Sequence, residues 1–264
     1  MSDTAIIPHD VEPHPLTGMY NGKFGLWLFL ASEVMLFGAL FSAYVLLRTG
    51  AAPGEWPRGE EILDWRLAMF NTLVLITSSV TMVMAWAELK LNHLGKAKTM
   101  MALTCGLASL FLVVKYFEYK GKFEHYQIDL NAPMVVAGHE TRKITGHHLK
   151  ETEDAFSIEP DAHGDAAHGG AAHEAITVPK TSVKRTTNFG PAHSTFLATY
   201  FTLTGLHGLH ILGGILVIGY FVFAADRIWK WNPDKLANRV ECTGLYWHFV
   251  DLVWIFLFPV LYLL

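Results

Sequence analysis

Four residues near the C-terminus have the types and spacing to do chemistry inside a membrane. Trp247, His248, Asp251 and Trp254 stand one, four and seven residues apart, so a helix gathers them on one face. From Cys242 to Leu264 Asp251 is the only full charge, and the stretch is long enough to cross a bilayer. At about 1.5 Å per residue Asp251 lies roughly 14 Å into that helix. A bare carboxylate there costs about 2.5–3.5 kcal/mol on insertion scales. Asp251 must therefore face protein, with His248, one turn away, as its nearest candidate partner. On this reading Asp251→Leu strands that partner and weakens assembly. Two chemistries suit the stripe: a polar seam that glues helices together, or the handling of protons.

Three further groups invite the same question. Glu33 is the single acid in an apolar run and falls near its middle, where a carboxyl is either a protonatable functional group or an acid bonded to a neighbouring helix. His207 and His210 share a helix face within Thr204-Gly205-Leu206-His207-Gly208-Leu209-His210. That spacing binds a metal only if other ligands converge, and no third and fourth ligand can be assigned, so helix packing is the expectation. Lys115, Glu118 and Lys122 lie three and four apart, an interfacial pairing at a helix end. Nucleotide-binding and hydrolase motifs are absent, and no catalytic constellation is legible.

The elements that must position these residues are helices in a bilayer. Apolar residues make up 52% of the chain and charged residues 17%, against about 25% charged in soluble domains. The fold class is therefore all-α, a polytopic bundle of five transmembrane helices over about 24–47, 67–89, 98–119, 192–225 and 242–264. The fourth stretch is longer than a bilayer needs and must tilt or project. Pro259 bends or frays the end of the fifth. Residues 1–23 form an N-terminal tail without the basic, short-apolar pattern of a signal peptide, so the first span serves as its own insertion signal. Between spans three and four, residues 127–187 form a soluble insert rich in histidine. It reads as solvated loop, low in complexity and mobile over 161–174. Cys105 and Cys242 form no disulfide framework or metal spacing. The net charge of −4, without a basic block, excludes nucleic acid.

Orientation follows from the short loops. Lys23, Lys90, Lys96, Lys98, Arg227, Lys230, Lys235 and Arg239 collect on one side, against Arg48, Arg58 and Arg66 on the other. The N-terminus is expected inside, and the C-terminus and the insert outside.

Several short stretches, in order along all five spans, resemble one family. They are Ser32-Glu33-Val34, Trp56-Pro57, Asn71-Thr72 with Thr77-Ser78-Ser79, Phe117-Glu118-Tyr119, Ser194-Thr195-Phe196, Thr204 to His210, and Tyr246 to Trp254. The chain resembles subunit III of the haem–copper respiratory oxidases, of the cytochrome c oxidase type, in a five-helix form. The resemblance covers nearly everything except the tail and the insert.

The resemblance implies a non-catalytic subunit of an aerobic terminal oxidase in the bacterial cytoplasmic membrane. It implies no redox centre on this chain, with haem and copper on partner subunits, and bound phospholipid. Subunit I would be the direct partner, with subunit II in the same complex. The subunit would stabilise the catalytic core and support proton uptake. Glu33 carries over as the acid beside bound lipid and Arg227 as a headgroup contact. His207, His210, His248 and Asp251, with Trp247 and Trp254, carry over as packing or subunit-interface groups. The insert, outside the family pattern, would face cytochrome c or a neighbouring respiratory complex. Two related readings stay open, a quinol oxidase subunit and a nitric oxide reductase accessory protein. From another class, a proton-coupled transporter would use Glu33, His207, His210 and Asp251 as its relay, although the spans show no internal repeat.

Overall fold

The computed structural model describes residues 21–52, 56–57, 59–136, 139–152, 154–160 and 175–263. The N-terminal tail up to residue 20 and the low-complexity stretch 161–174 lie outside them. The chain divides into one unit of Met1–Val114 with Leu203–Leu264 and a second of Lys115–Thr202.

Among the described residues five helices are long and apolar enough to span a membrane, as the composition predicts. They are α1 (Asn21–Gly50), α3 (Trp65–Lys90), α4 (Leu94–Glu124), α5 (Thr195–Trp231) and α6 (Pro233–Phe258), with a one-turn α2 (Gly59–Ile62) before α3. Local chemistry sets the boundaries. Asp64 caps α3 by accepting from the Arg66 and Leu67 amides, and Asn232 caps α6 by accepting from the Lys235 amide. Asn92, in the left-handed region at φ 62°, turns the chain between α3 and α4. The segment 226–239, expected as a connection, is helical except at Asn232, because Pro233 is well placed at a helix start. With 37 residues α5 is about 55 Å long, well beyond the roughly 30 Å hydrocarbon core.

Pro259 does not end the last helix. It lacks an amide hydrogen and crowds the carbonyl four residues back, and the ladder shifts to a π-turn over Pro259–Leu263. Tyr44 of α1 bonds the Val260 carbonyl at 3.0 Å. Within the first unit α3 and α6 form the main interface. Gly214 of α5 belongs to the same packing, since a Cβ there would fall 2.5 Å from the Trp247 ring.

The insert is not a loop. Strands β1 (His125–Val136), β2 (His139–Glu151), β3 (Ala155–Pro160), β4 (Ile176–Pro179) and β5 (Val183–Asn188) form an antiparallel sheet in the order β4-β3-β2-β1-β5. Ile128 pairs with Ile144, and Ile158 with Ile176. Ile128, Ile144 and Ile158 form a buried cluster with Leu130 and Val178, and partly buried Ile176 packs against it. The alternating Tyr126, Ile128, Leu130 and Phe156, Ile158 carried the period-2 signal that a histidine-dominated composition obscured.

On the same unit the rings of His147, His125, Phe189 and His193 stack in sequence, with centroids 4.6, 4.3 and 4.4 Å apart. Burial pushes the His193 imidazole below its ordinary range, and Arg185 adds to this while Asp129 opposes it. A base with a depressed folded pKa binds fewer protons folded than unfolded, so stability is present above the ordinary histidine range and lost as pH falls through the folded value. Proteolysis of the 125–188 region in the solubilised protein should therefore accelerate as pH drops from about 7 to 5. His193→Gln, which keeps a bond to Thr187, should flatten that dependence. An unchanged profile would contradict this reading.

Candidate functional site

The polar stripe of α6 lies against α3, and each indole finds a hydroxyl there. Trp247 Nε1 donates to Ser78 Oγ at 3.1 Å and Trp254 Nε1 to Thr72 Oγ1 at 3.0 Å. Ser78 and Thr72 pass their own hydrogens to the Leu75 and Ala68 carbonyls, so each hydroxyl both donates and accepts. The antiparallel register lets residues 72, 78 and 79 meet 254, 247 and 248.

His248 corrects the sequence expectation. Its Nδ1 lies 2.6 Å from Ser79 Oγ, so the ring turns across to α3 rather than to Asp251. Asp251 is 4% exposed, and neither carboxylate oxygen has a hydrogen-bond partner among the described residues. Ser79, which lies within its reach, is engaged with His248. Asn71 of α3, fully buried, has an equally unpartnered amide among those residues.

His207 and His210 share a face of α5 but serve different neighbours. His207, fully buried, stacks on Trp254 at 5.2 Å and meets the edge of Phe111 at 5.8 Å. Phe111 and Trp254 close the trio at 4.9 Å. His210 turns to α1, where its Nε2 lies 2.9 Å from Glu33 Oε2. Among the described residues no group of three His, Cys, Asp or Glu side chains is placed to hold a metal.

The hydrogen positions at this pair follow from its neighbours. His210 Nδ1 is 2.8 Å from the Leu206 carbonyl, which only accepts, so Nδ1 carries a hydrogen. Nε2 then either accepts from a protonated Glu33 or donates to its carboxylate as imidazolium. Both arrangements hold one proton between Nε2 and Oε2 and leave the pair formally neutral, which suits its depth in hydrocarbon. Tyr246 braces it by donating to the His210 carbonyl at 2.8 Å, and Phe37 packs its ring edge against the imidazole at 5.3 Å.

Lys115 and Glu118, expected as an interfacial pair, are buried. Lys115 Nζ lies 2.9 Å from Glu118 Oε2, and the Tyr200 hydroxyl donates to Glu118 Oε1 at 2.6 Å. Arg227, in contrast, is exposed near the end of α5, beside the Lys98–Asp226 ion pair. Sequence reasoning missed the partners Thr72, Ser78, Ser79, Tyr200 and Tyr246. Thr72 and Ser79 are seven apart, two turns on one helix edge, which was the available signal.

Compared with known proteins, the chain matches the family described as cytochrome c oxidase subunit III over residues 12–126 and 176–264. The match omits the stretch that holds most of β1, and β2 and β3. A similar protein is the cytochrome bo(3) ubiquinol oxidase subunit 3 of Pseudomonas aeruginosa, 26% identical over 100% of this chain and 94% of that one. The cytochrome c oxidase subunit 3 of Bacillus subtilis is 28% identical over 96% and 91%. The heme-copper oxidase subunit I+III of Aeropyrum pernix is 23% identical over 90% of this chain but 22% of its own length.

The geometry gives the two seam residues Asp251 and Trp254 different expected costs. Asp251→Leu removes a buried carboxyl whose one nearby hydroxyl, Ser79, keeps its bond to His248, so it should leave the thermal midpoint in detergent unchanged or raised. Trp254→Ala removes an indole, its bond to Thr72 and its contacts with His207 and Phe111, at a cost of about 3–5 kcal/mol. Comparable losses in the two variants would show that the carboxylate is bonded.

Proposed function

The chain belongs to the cytochrome c oxidase subunit III family, and from that premise we propose that it is the non-catalytic subunit that keeps the oxidase core working through many turnovers. It is a multi-pass membrane subunit of a haem–copper oxidase, of the cytochrome c or quinol type. The observation that carries the proposal is how its intramembrane polar groups are arranged. The indoles, His210 and Glu33 bond within the chain rather than converge on a substrate. Such a subunit acts on its partner rather than on oxygen. Direct association with subunit I is supported by the Aeropyrum pernix relative, whose name joins subunits I and III in one chain.

The Glu33–His210 pair is read here as the protonatable group beside bound lipid, with exposed Arg227 as a headgroup contact. With the Lys and Arg asymmetry, the N-terminus lies inside and the insert outside. The quinol type is the second reading of the electron donor, favoured by the Pseudomonas aeruginosa relative, which aligns over this whole chain.

Oxygen consumption by complexes purified with and without the subunit tests the proposal. Initial rates should be similar, and the complex without it should lose activity over successive turnovers. Glu33→Gln should assemble normally, since its amide can donate to the His210 Nε2 lone pair, and should shorten only the active lifetime. Complete loss of the initial rate on removing the subunit would refute a non-catalytic role.

A further inference from the structure

Ligand sites combine apolar walls with a few placed polar groups, and α1 and α6 build such a combination. A groove of about 290 Å³ lies between them, lined by Val34, Phe37, Phe41, Phe249, Val253 and Phe256. It runs roughly 10 Å along each helix at about 1.5 Å per residue. The Glu33–His210 pair stands at its start: Glu33 precedes Val34 in the chain, and Phe37 packs on the His210 ring. Both side chains keep some access, 13% for Glu33 and 15% for His210. The Leu206 carbonyl occupies His210 Nδ1 and Glu33 Oε2 its Nε2, whereas Glu33 Oε1 has no hydrogen bond among the described residues. Asp251 and Asn71 also lack partners there, but they are sealed inside the bundle.

We propose that this groove binds a membrane quinol, whose ring hydroxyl donates to Glu33 Oε1 and whose prenyl tail lies among the phenylalanines. Hydrocarbon supplies no donor, so the ligand must bring one to the depth of Glu33, near the middle of the α1 span Gly22–Gly50. A phospholipid brings none, because its polar groups lie about 15 Å away, half the hydrocarbon thickness. Its acyl chain would fill the groove and leave Oε1 open. A quinol carries hydroxyls and tail on one neutral molecule that lies within the bilayer, and aromatic walls suit its ring and unsaturated tail. The site rests on the reading of Glu33 as the acid beside bound lipid, and names the class of that lipid.

An arylazido prenyl quinol tests it on the whole complex in detergent, with adducts mapped by peptide. Adducts should fall on α1 and α6 at the groove, and unlabelled quinol should compete where an equal amount of phospholipid does not. Gly38 lines the groove too, and a Cβ there meets nothing within 4 Å, so Gly38→Ile grows into the open space and should abolish the adducts. Glu33→Leu should lower labelling roughly threefold to tenfold, the size of one net hydrogen bond. Glu33→Gln, whose carbonyl still accepts, should restore part of it. Equal competition by phospholipid, adducts that survive Gly38→Ile, or adducts on other chains alone would overturn the quinol site and leave the subunit reading intact. Groove adducts on a chain that copurifies no haem-bearing protein would overturn the subunit reading and leave the site.

Discussion

Inside hydrocarbon every polar group must find its partner in protein, and that constraint organises the membrane part of this chain. Backbone groups meet it by forming five long helices. Side chains meet it across helices: Trp247 with Ser78, Trp254 with Thr72, Glu33 with His210 and Thr81 with Thr104. Each bond is modest, about 0.6 kcal/mol on average for interhelical bonds of this kind. Together they select one register for α3 on α6, because a slip of either helix would strand two indole N–H groups, while the hydroxyls would keep their bonds to α3 carbonyls. Asp251 and Asn71 depart from the rule, and both lie buried on this same pair of helices.

Much of this architecture was legible in the sequence, and the rest had physical reasons to stay hidden. The five spans were readable because composition and length alone decide them. Their ends were not, since Asn232 and Pro233 compress an expected connection into a single capping residue. The stripe on α6 was visible as a pattern, but its partners were not. Serine and threonine on α3 look like ordinary helix residues until the antiparallel register brings Ser79 to His248. The assignment of Asp251 to His248 failed because spacing along one helix counts neighbours on that helix only. The sheet between α4 and α5 was hidden by its histidines and short strands, although Ile128, Leu130, Ile144, Ile158 and Val178 form a true core.

Two kinds of histidine emerge in the membrane. His207 is packing, sealed between Phe111 and Trp254. His210 bonds across helices, its Nδ1 to the Leu206 carbonyl and its Nε2 to Glu33 of α1. A carboxyl and an imidazole that bond each other tolerate a bilayer better than either residue alone.

The central claim is that this chain works as one subunit of a haem–copper oxidase. Purification from native membranes through an affinity tag on this chain, followed by haem spectroscopy, metal analysis and subunit identification, tests it most directly. The account predicts a stoichiometric partner that carries haem and copper and reduces oxygen. Recovery of the chain alone, or with partners that carry neither haem nor copper, would contradict it.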